Sequence, residues 1–411
     1  MDYGTQHMGF FFFVWEKGFG FNMAKKIRLC GLLISVFTWT TLCFAGEDPF
    51  QVPPEMEGRV QFWIRVFTEF SLNHIIIHDA EVPERIYSIL DFRELTNRGL
   101  LFEQQKQDSI RKVKEEIRSI LNRLGADQDT SQLNSRELGI RRLFKAPSSA
   151  VFYAAANQLH IQKGAVETFK AGLIRSGRYI PSMMTLFRKA NLPEDLVYLA
   201  HVESAFHLRA RSPAGALGIW QFMPSTGKRL LRINSLIDER RDPILSTKAA
   251  ARLLQTNFDK TGNWALAITA YNHGVNGMIR ATQSTGSRNI VRIIERYQSN
   301  TFGYASKNFY AEFLAVRQIA KNPGDYFPDI ETDQPLQFNL VTLPFAFSLR
   351  EVARMFQVDP NVLAELNPAL NQAVTVRGKK IPRGTTMRLP LTAHVLGAEI
   401  VQGIGVPLPG L

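Results

Sequence analysis

Cysteine is almost absent from this 411-residue chain, which has two, Cys30 and Cys43. Both stand in the apolar run 29–45, so a chain cut after Ala45 carries no thiol. That excludes a disulfide framework and any cysteine-ligated metal. Acidic side chains are also scarce, 37 against 49 Lys and Arg, for a net charge of +12. Such a chain calls for an anionic partner, whether nucleic acid, a membrane face or an acidic polymer. Apart from 29–45 no long apolar run exists, and that one falls a little short of the roughly 20 residues that span a bilayer. His74 and His78 have HxxxH spacing in "HIIIHD", but the neighbouring Glu of a zincin is missing. No metal or organic cofactor is implied.

What is present begins with a sorting pattern. Lys25, Lys26 and Arg28 precede the apolar run, and the run ends on the small Ala45 before "GEDPF". This is the layout of a cleaved export signal over residues 1–45. Residues 1–22 fit no such plan and read as an artefact upstream of a true start at Met23. An uncleaved membrane anchor is the alternative. A lipoprotein reading at Cys43 conflicts with Leu42, which stands where a small residue is expected. Removing 1–45 takes away four basic and two acidic residues and leaves +10. An exported basic protein meets cell-wall polymer or a membrane surface before nucleic acid, so no nucleic-acid partner is expected.

Residues 46–150 read as a mostly helical accessory region. Ile110, Val113, Ile117, Ile120, Leu121 and Leu124 recur at helical spacing ahead of Gly125. Residues 151–320 carry one helical pattern after another, beginning with 151–176, and no convincing strand. Asp242 before Pro243 is an N-cap with proline at the first helical position. The stretch 321–335, "KNPGDYFPDIETDQP", breaks the periodicity and reads as a linker. Residues 336–391 fit a βααβ module with helices at 348–356 and 360–366, followed by a tail over 392–411. The fold class is mainly α.

The chemistry gathers around "HVESAFHLRARSPAGALGIWQFMPSTG" at 201–227. At helical spacing Glu203 shares a face with Leu196, Leu199 and Ala200, so the carboxyl points where the apolar side chains point. A desolvated carboxyl resists ionising and can donate a proton near neutral pH, as a glycosidic oxygen requires. A buried Glu held by a structural hydrogen bond is the bland alternative. Gly215 and Gly218 let backbone approach a ligand closely. Ser212 and Gln221 offer hydrogen bonds, while Trp220, Phe222 and Met223 offer apolar surface for sugar faces.

The set "ESAF" at 203–206, "SPAGALGIWQFMPSTG" at 212–227 and "AYNHG" at 270–274 resembles the family 1 lytic transglycosylases, most closely the membrane-bound D type, over roughly 165–320. The resemblance implies a lysozyme-like helical fold and cleavage of the β-1,4 bond between N-acetylmuramic acid and N-acetylglucosamine. Glu203 would be the single acid/base, closing a 1,6-anhydro ring. Ser204, Ser212, Gly218, Gln221, Met223, Tyr271 and Asn272 would bind substrate. Peptidoglycan strands would be the partner, with possible membrane or outer-membrane association, in the periplasm or cell envelope of a Gram-negative-type bacterium. One departure stands out: "YASKNFYAEF" at 304–313 has Ala305 and Phe309 where many relatives have Glu and Tyr, with Tyr304 or Tyr310 as substitutes.

"VARMFQVDPNVLAELNP" resembles a lysin-motif domain, a binder of N-acetylglucosamine-containing glycans, although "FAFSL" at 345–349 replaces the usual Gly-Asp-Thr. Two other functions stay open. One is a goose-type lysozyme activity in which Glu194, Asp238, Glu239 or Asp242 positions water. The other is a wall-binding protein without catalysis.

Overall fold

The computed structural model describes residues 48–393 and 401–404, apart from 98, 100–102, 128, 130 and 146. The expected export signal and most of the tail lie outside the described residues. Among the described residues no helix is long and apolar enough to cross a membrane.

The N-terminal region comprises α1 (Glu57–Thr68), β1 (His74–Asp79), β2 (Ile86–Asp91), α2 (Arg93–Asn97), α3 (Glu103–Ala126), α4 (Ser135–Arg142), α5 (Ser149–Asn157) and β3 (Leu159–Lys163). Its strands form an antiparallel sheet in the order β2-β1-β3. The helices α1 to α4 bear out the helical reading of 46–150, to which β1 and β2 are added, while β3 corrects the expectation that 151–176 is one helix with no strand. The β-branched run Ile75, Ile76 and Ile77 makes the central strand, buried along its whole length. The pattern at 151–176 is interrupted because Gly164 lies against the end of α1's connection: a Cβ there would stand 2.3 Å from the Phe70 carbonyl oxygen. The helical face read at Ile110 to Leu124 is present in α3, where Ile117, Ile120, Leu121 and Leu124 bury against Phe144, Phe152 and Leu159.

The helical body continues with α6 (Val166–Ser176), α7 (Ile180–Lys189), a 3-10 turn at Glu194–Tyr198, α8 (Leu199–Ser204), α9 (Pro224–Leu230), α10 (Pro243–Thr261), α11 (Trp264–His273), α12 (Val275–Thr285), α13 (Ile290–Arg296) and α14 (Tyr304–Lys321). α14 packs against α1, α8 and α11. One apolar core joins these helices, with Trp220, Phe187, Phe206 and Phe313 among its fully buried side chains. Asp242 caps α10 as expected, accepting from the Ile244 and Leu245 N–H groups at 3.0 and 2.9 Å.

The C-terminal module runs β4 (Gln337–Thr342), α15 (Leu349–Met355), α16 (Pro360–Leu366), α17 (Gln372–Thr375), β5 (Thr386–Leu389) and β6 (Val401–Ile404). β4 pairs antiparallel with β5 on one side and β6 on the other. Ser348 and Glu351 form a capping box at α15, and Asp359 caps α16 ahead of Pro360. Ile237, from the loop before α10, inserts into the module's own apolar core. Beside it the buried Arg388 guanidinium forms a two-pronged pair with Asp242, Nη2 to Oδ1 at 2.8 Å. The cap of α10 is therefore also the anchor of the module. Arg388→Met leaves Asp242 buried without its cation, and urea unfolding is expected to show a loss of about 3–5 kcal/mol; the double variant with Asp242→Asn should recover most of it.

Candidate active site

α8 begins on the 3-10 turn that Pro193 opens, with Leu196, Leu199 and Ala200 fully buried. Glu203 follows one turn later on that face, as the spacing predicts. The helix then stops abruptly: Ala205 (φ 47°) and Phe206 (φ 56°) are both left-handed, which costs a side-chain-bearing residue roughly 1–2 kcal/mol. α6 holds this strained turn from beneath. Arg175 Nη2 donates to the Ala205 carbonyl at 2.8 Å, and Gly172 gives room, since a Cβ there would meet Ala205 at 2.9 Å. Strain of this kind persists only where surrounding contacts over-determine it.

The 210–223 loop is bound to two helices. Ser204 Oγ donates to the Ile219 carbonyl at 2.9 Å from α8. The Tyr271 hydroxyl donates to the Trp220 carbonyl at 2.9 Å from α11. Gly218 (φ 78°) passes so close to the following segment that a Cβ would stand 2.0 Å from the Arg240 carbonyl oxygen. Gln221, also left-handed at φ 45°, donates its amide to the Gly218 and Ala210 carbonyls at 2.7 and 3.2 Å. Ser212 Oγ accepts from the Ala216 N–H at 3.0 Å. Arg240, which the sequence reading passed over, ties the loop's two ends, donating to the Gly215 and Phe222 carbonyls at 3.1 and 3.2 Å.

These contacts redistribute the expected roles. Trp220 and Phe222 are buried in the core, and Trp220 Nε1 donates to Thr247 at 2.8 Å, so neither offers a sugar face. Met223, 39% exposed, keeps that capacity. Ser204, Ser212, Gly218 and Gln221 shape the loop. Tyr271 joins loop to helix while its ring lies within reach of the Glu203 charge. Asn272 is exposed and accepts from Ser306 Oγ of α14 at 2.8 Å.

Glu203 itself is half-buried and has no hydrogen-bond partner among the described residues. The bland alternative, a Glu held by a structural hydrogen bond, is thereby set aside. Burial, with the negative charge of Glu312 second, pushes its carboxyl up to about 8. Glu312, on α14, is the residue that sequence reasoning missed. It too is half-buried, without a hydrogen bond among the described residues, and raised by burial to about 8. Its only sequence signal was an acid inside the apolar pattern of α14, between the buried Ala311 and Phe313. Of the proposed tyrosine substitutes, Tyr304 lies within reach of the Glu312 charge, whereas Tyr310 answers to Arg317 and Asp48.

Four other acids are occupied elsewhere. Glu194 pairs with Arg188, Asp238 with Arg240, Glu239 with Arg232 and Asp242 with Arg388. His201 of α8 is buried between Phe169 and Phe206, and burial lowers it to about 3. His74 and His78 lie four residues apart on a strand, about 13 Å of rise, too far to share an ion. His78 instead donates from Nδ1 to the Asp79 carbonyl and accepts from the Tyr304 hydroxyl at Nε2.

A carboxyl with a raised pKa binds more protons folded than unfolded, so its contribution to stability declines as pH rises from 4.5 through about 8. Glu203→Gln is therefore expected to raise Tm by a few degrees at about pH 8 and to leave it unchanged at about pH 4, read by calorimetry.

The "Transglycosylase SLT domain" family model matches residues 184–294, which covers α8, the loop and α11 but stops short of α14. The chain is 32% identical over 236 residues to membrane-bound lytic murein transglycosylase D of Escherichia coli (strain K12), covering 57% of this chain and 47% of that protein. It is 30% identical over 160 residues to a protein of Alteromonas sp. (strain M-1) named for tributyltin chloride resistance, covering 38% of this chain and 74% of that one. A transglycosylase of Enterobacteria phage PRD1 is 33% identical over 84 residues, 20% of this chain and 30% of its own. The chain thus spans about half the length of the E. coli relative. With the acid of α8, the stapled loop and the Tyr-Asn pair of α11 inside the matched stretch, the chain carries a lysozyme-like SLT domain and is similar over that region to lytic murein transglycosylases.

Proposed function

We propose that this chain is a peptidoglycan lytic transglycosylase that cleaves the β-1,4 bond between N-acetylmuramic acid and N-acetylglucosamine, with Glu203 as its single acid/base. The observation that carries the reading is a half-buried glutamic acid with no hydrogen bond among the described residues, its carboxyl raised to about 8. Such a group keeps its proton near neutral pH and has no partner to give up before a glycosidic oxygen approaches.

In this mechanism Glu203 donates its proton to the leaving oxygen as the C1–O bond breaks. The resulting carboxylate, held in a poorly solvated place, is a strong base. It takes the proton of the muramyl C6 hydroxyl while O6 bonds to C1, which closes the 1,6-anhydro ring and returns the acid to its starting form. The nucleophile belongs to the substrate, so one carboxyl completes the cycle. Tyr271 stays a neutral phenol, raised by burial and by the Glu203 charge. Met223, exposed at the end of the loop, would pack on a sugar ring, and Asn272 would hydrogen-bond one.

The net charge of +12 supports docking on wall polymer rich in muramyl-peptide carboxylates. The two longer helices α15 and α16 between the paired strands β4 and β5, to which α17 and β6 are added, support a lysin-motif-like role in holding glycan, with Phe345 66% exposed on the first loop. The names of the E. coli relatives support a cell-envelope location with membrane association.

A second reading, hydrolysis by water, has one observation in its favour: Glu312 supplies the second carboxyl that the four acids named from sequence do not. Mass spectrometry of digested peptidoglycan separates the two. Ends lighter by one water are expected, with hydrolytic ends as the contrary result. Glu203→Gln should cut cleavage by about 10²–10⁴-fold while leaving wall binding intact, and the wild-type rate should fall as pH rises through about 8.

A further inference from the structure

We infer that the cavity between α10 and the β4–β5 face of the C-terminal module is a binding site for a single-chain amphipathic anion, an acyl tail with a carboxylate or phosphate head. The tail lies on the apolar walls and the head meets Lys248 and Arg252. None of the residues lining this cavity belongs to α8, the 210–223 loop or α11, so it stands apart from the site around Glu203. One of its walls, β4 with β5, also lies beyond the matched SLT stretch 184–294.

The cavity measures about 440 Å³. That falls within the roughly 300–1,000 Å³ of small-molecule sites, whereas packed elements ordinarily leave few voids larger than a water. Leu231, Ile244 and Leu245 line it from the helical side, Phe338 and Leu340 from β4 and Met387 from β5. Alternation along β4 accounts for one wall: Val341 joins the module's own core, while Phe338 and Leu340 face the cavity. The Asp242–Arg388 pair and the inserted Ile237 fix the two walls against each other, so the fold itself holds the space open.

The polar groups on the walls give the sign of the head. Both acids that line the cavity are taken, Glu239 by Arg232 and Asp242 by Arg388. Lys248 and Arg252 remain, one turn apart on α10, with no hydrogen bond or ion pair among the described residues. Lys248 is half-buried, and burial, with the Arg252 charge second, lowers the pKa of its ammonium. An anion between the two relieves that repulsion. Thr385 Oγ1 and Arg388 Nε, in residues 5% and 7% exposed, are buried without a hydrogen-bond partner among the described residues, and such groups are nearly always satisfied in folded proteins. A sugar finds little else to bond. The Asn367 side chain is spent on the Leu363 carbonyl and the Arg388 backbone, and Phe338 is covered by the Arg388 guanidinium at 5.2 Å from its ring centroid. An acyl chain needs no such partners, and its burial on these walls is favourable by itself.

The experiment is isothermal titration calorimetry of the full chain with octanoate, octyl phosphate, octylammonium and acetate. Saturable one-to-one binding of octanoate or octyl phosphate is expected, the tighter of the two identifying the head group, with no binding of octylammonium or acetate. The double variant K248Q/R252Q should weaken the anionic probe by about tenfold. L340W, which sets an indole into the cavity, should abolish binding, and L245W stands in where L340W does not fold. E203Q should bind as wild type does, which keeps the result separate from the catalytic reading. Failure of both anionic probes to bind overturns the inference. So does octylammonium or acetate binding as tightly as octanoate, which would leave only a greasy surface or only a cationic one. Binding that survives the cavity-filling variants, or that is lost in E203Q, places the probe elsewhere and overturns it as well.

Discussion

The site depends on the desolvation of one carboxyl. Glu203 stands where α8 turns away from the core, with buried Leu199 and Ala200 behind it and no hydrogen bond among the described residues. Burial withdraws solvent stabilisation from its charge, and no cation among the described residues replaces it. The proton stays on at a pH where an exposed glutamate would have lost it. The same exclusion makes the group a stronger base than an exposed carboxylate once the proton has left, and the two-way proton carrier proposed here needs both properties. The cost is carried by the fold, as a destabilising term that grows toward alkaline pH.

What bears that cost is the network around the acid. The left-handed turn at Ala205 and Phe206 ends α8 one residue past Glu203, braced by Arg175 and made possible by Gly172. The loop from 210 to 223 is stapled by Ser204, Tyr271 and Arg240, with Gly218 allowing a backbone approach that no side chain permits. Several polar residues of the motif thus bond backbone, and none of them hydrogen-bonds Glu203. Scaffold and catalysis divide the motif between them.

Much of this was legible in the sequence because it is local. Periodicity placed Glu203 on the face of Leu199 and Ala200, Asp242 with Pro243 announced the start of α10, and the alternation of short helices and strands outlined the C-terminal module. What was not legible is tertiary. The run 151–176 has no turn signal strong enough to reveal β3; the break depends on Gly164 meeting the Phe70 carbonyl, nearly a hundred residues away in sequence. Trp220 and Phe222 read as sugar platforms because aromatic residues near an acid suit either a groove or a core, and only packing against Thr247 and the helices decides. Glu312 lay hidden because its meaning comes from α8 lying against α14, a pairing that separates two acids by more than a hundred residues of chain.

The most direct measurement is the titration of the Glu203 side-chain carboxyl by carbon-13 NMR of glutamate-labelled protein, with its resonance assigned as the one missing in Glu203→Gln. A midpoint near 8 is the result the account predicts. A midpoint near the ordinary 4.5 would contradict it, because the group would then be a charged carboxylate at neutral pH with no proton to donate.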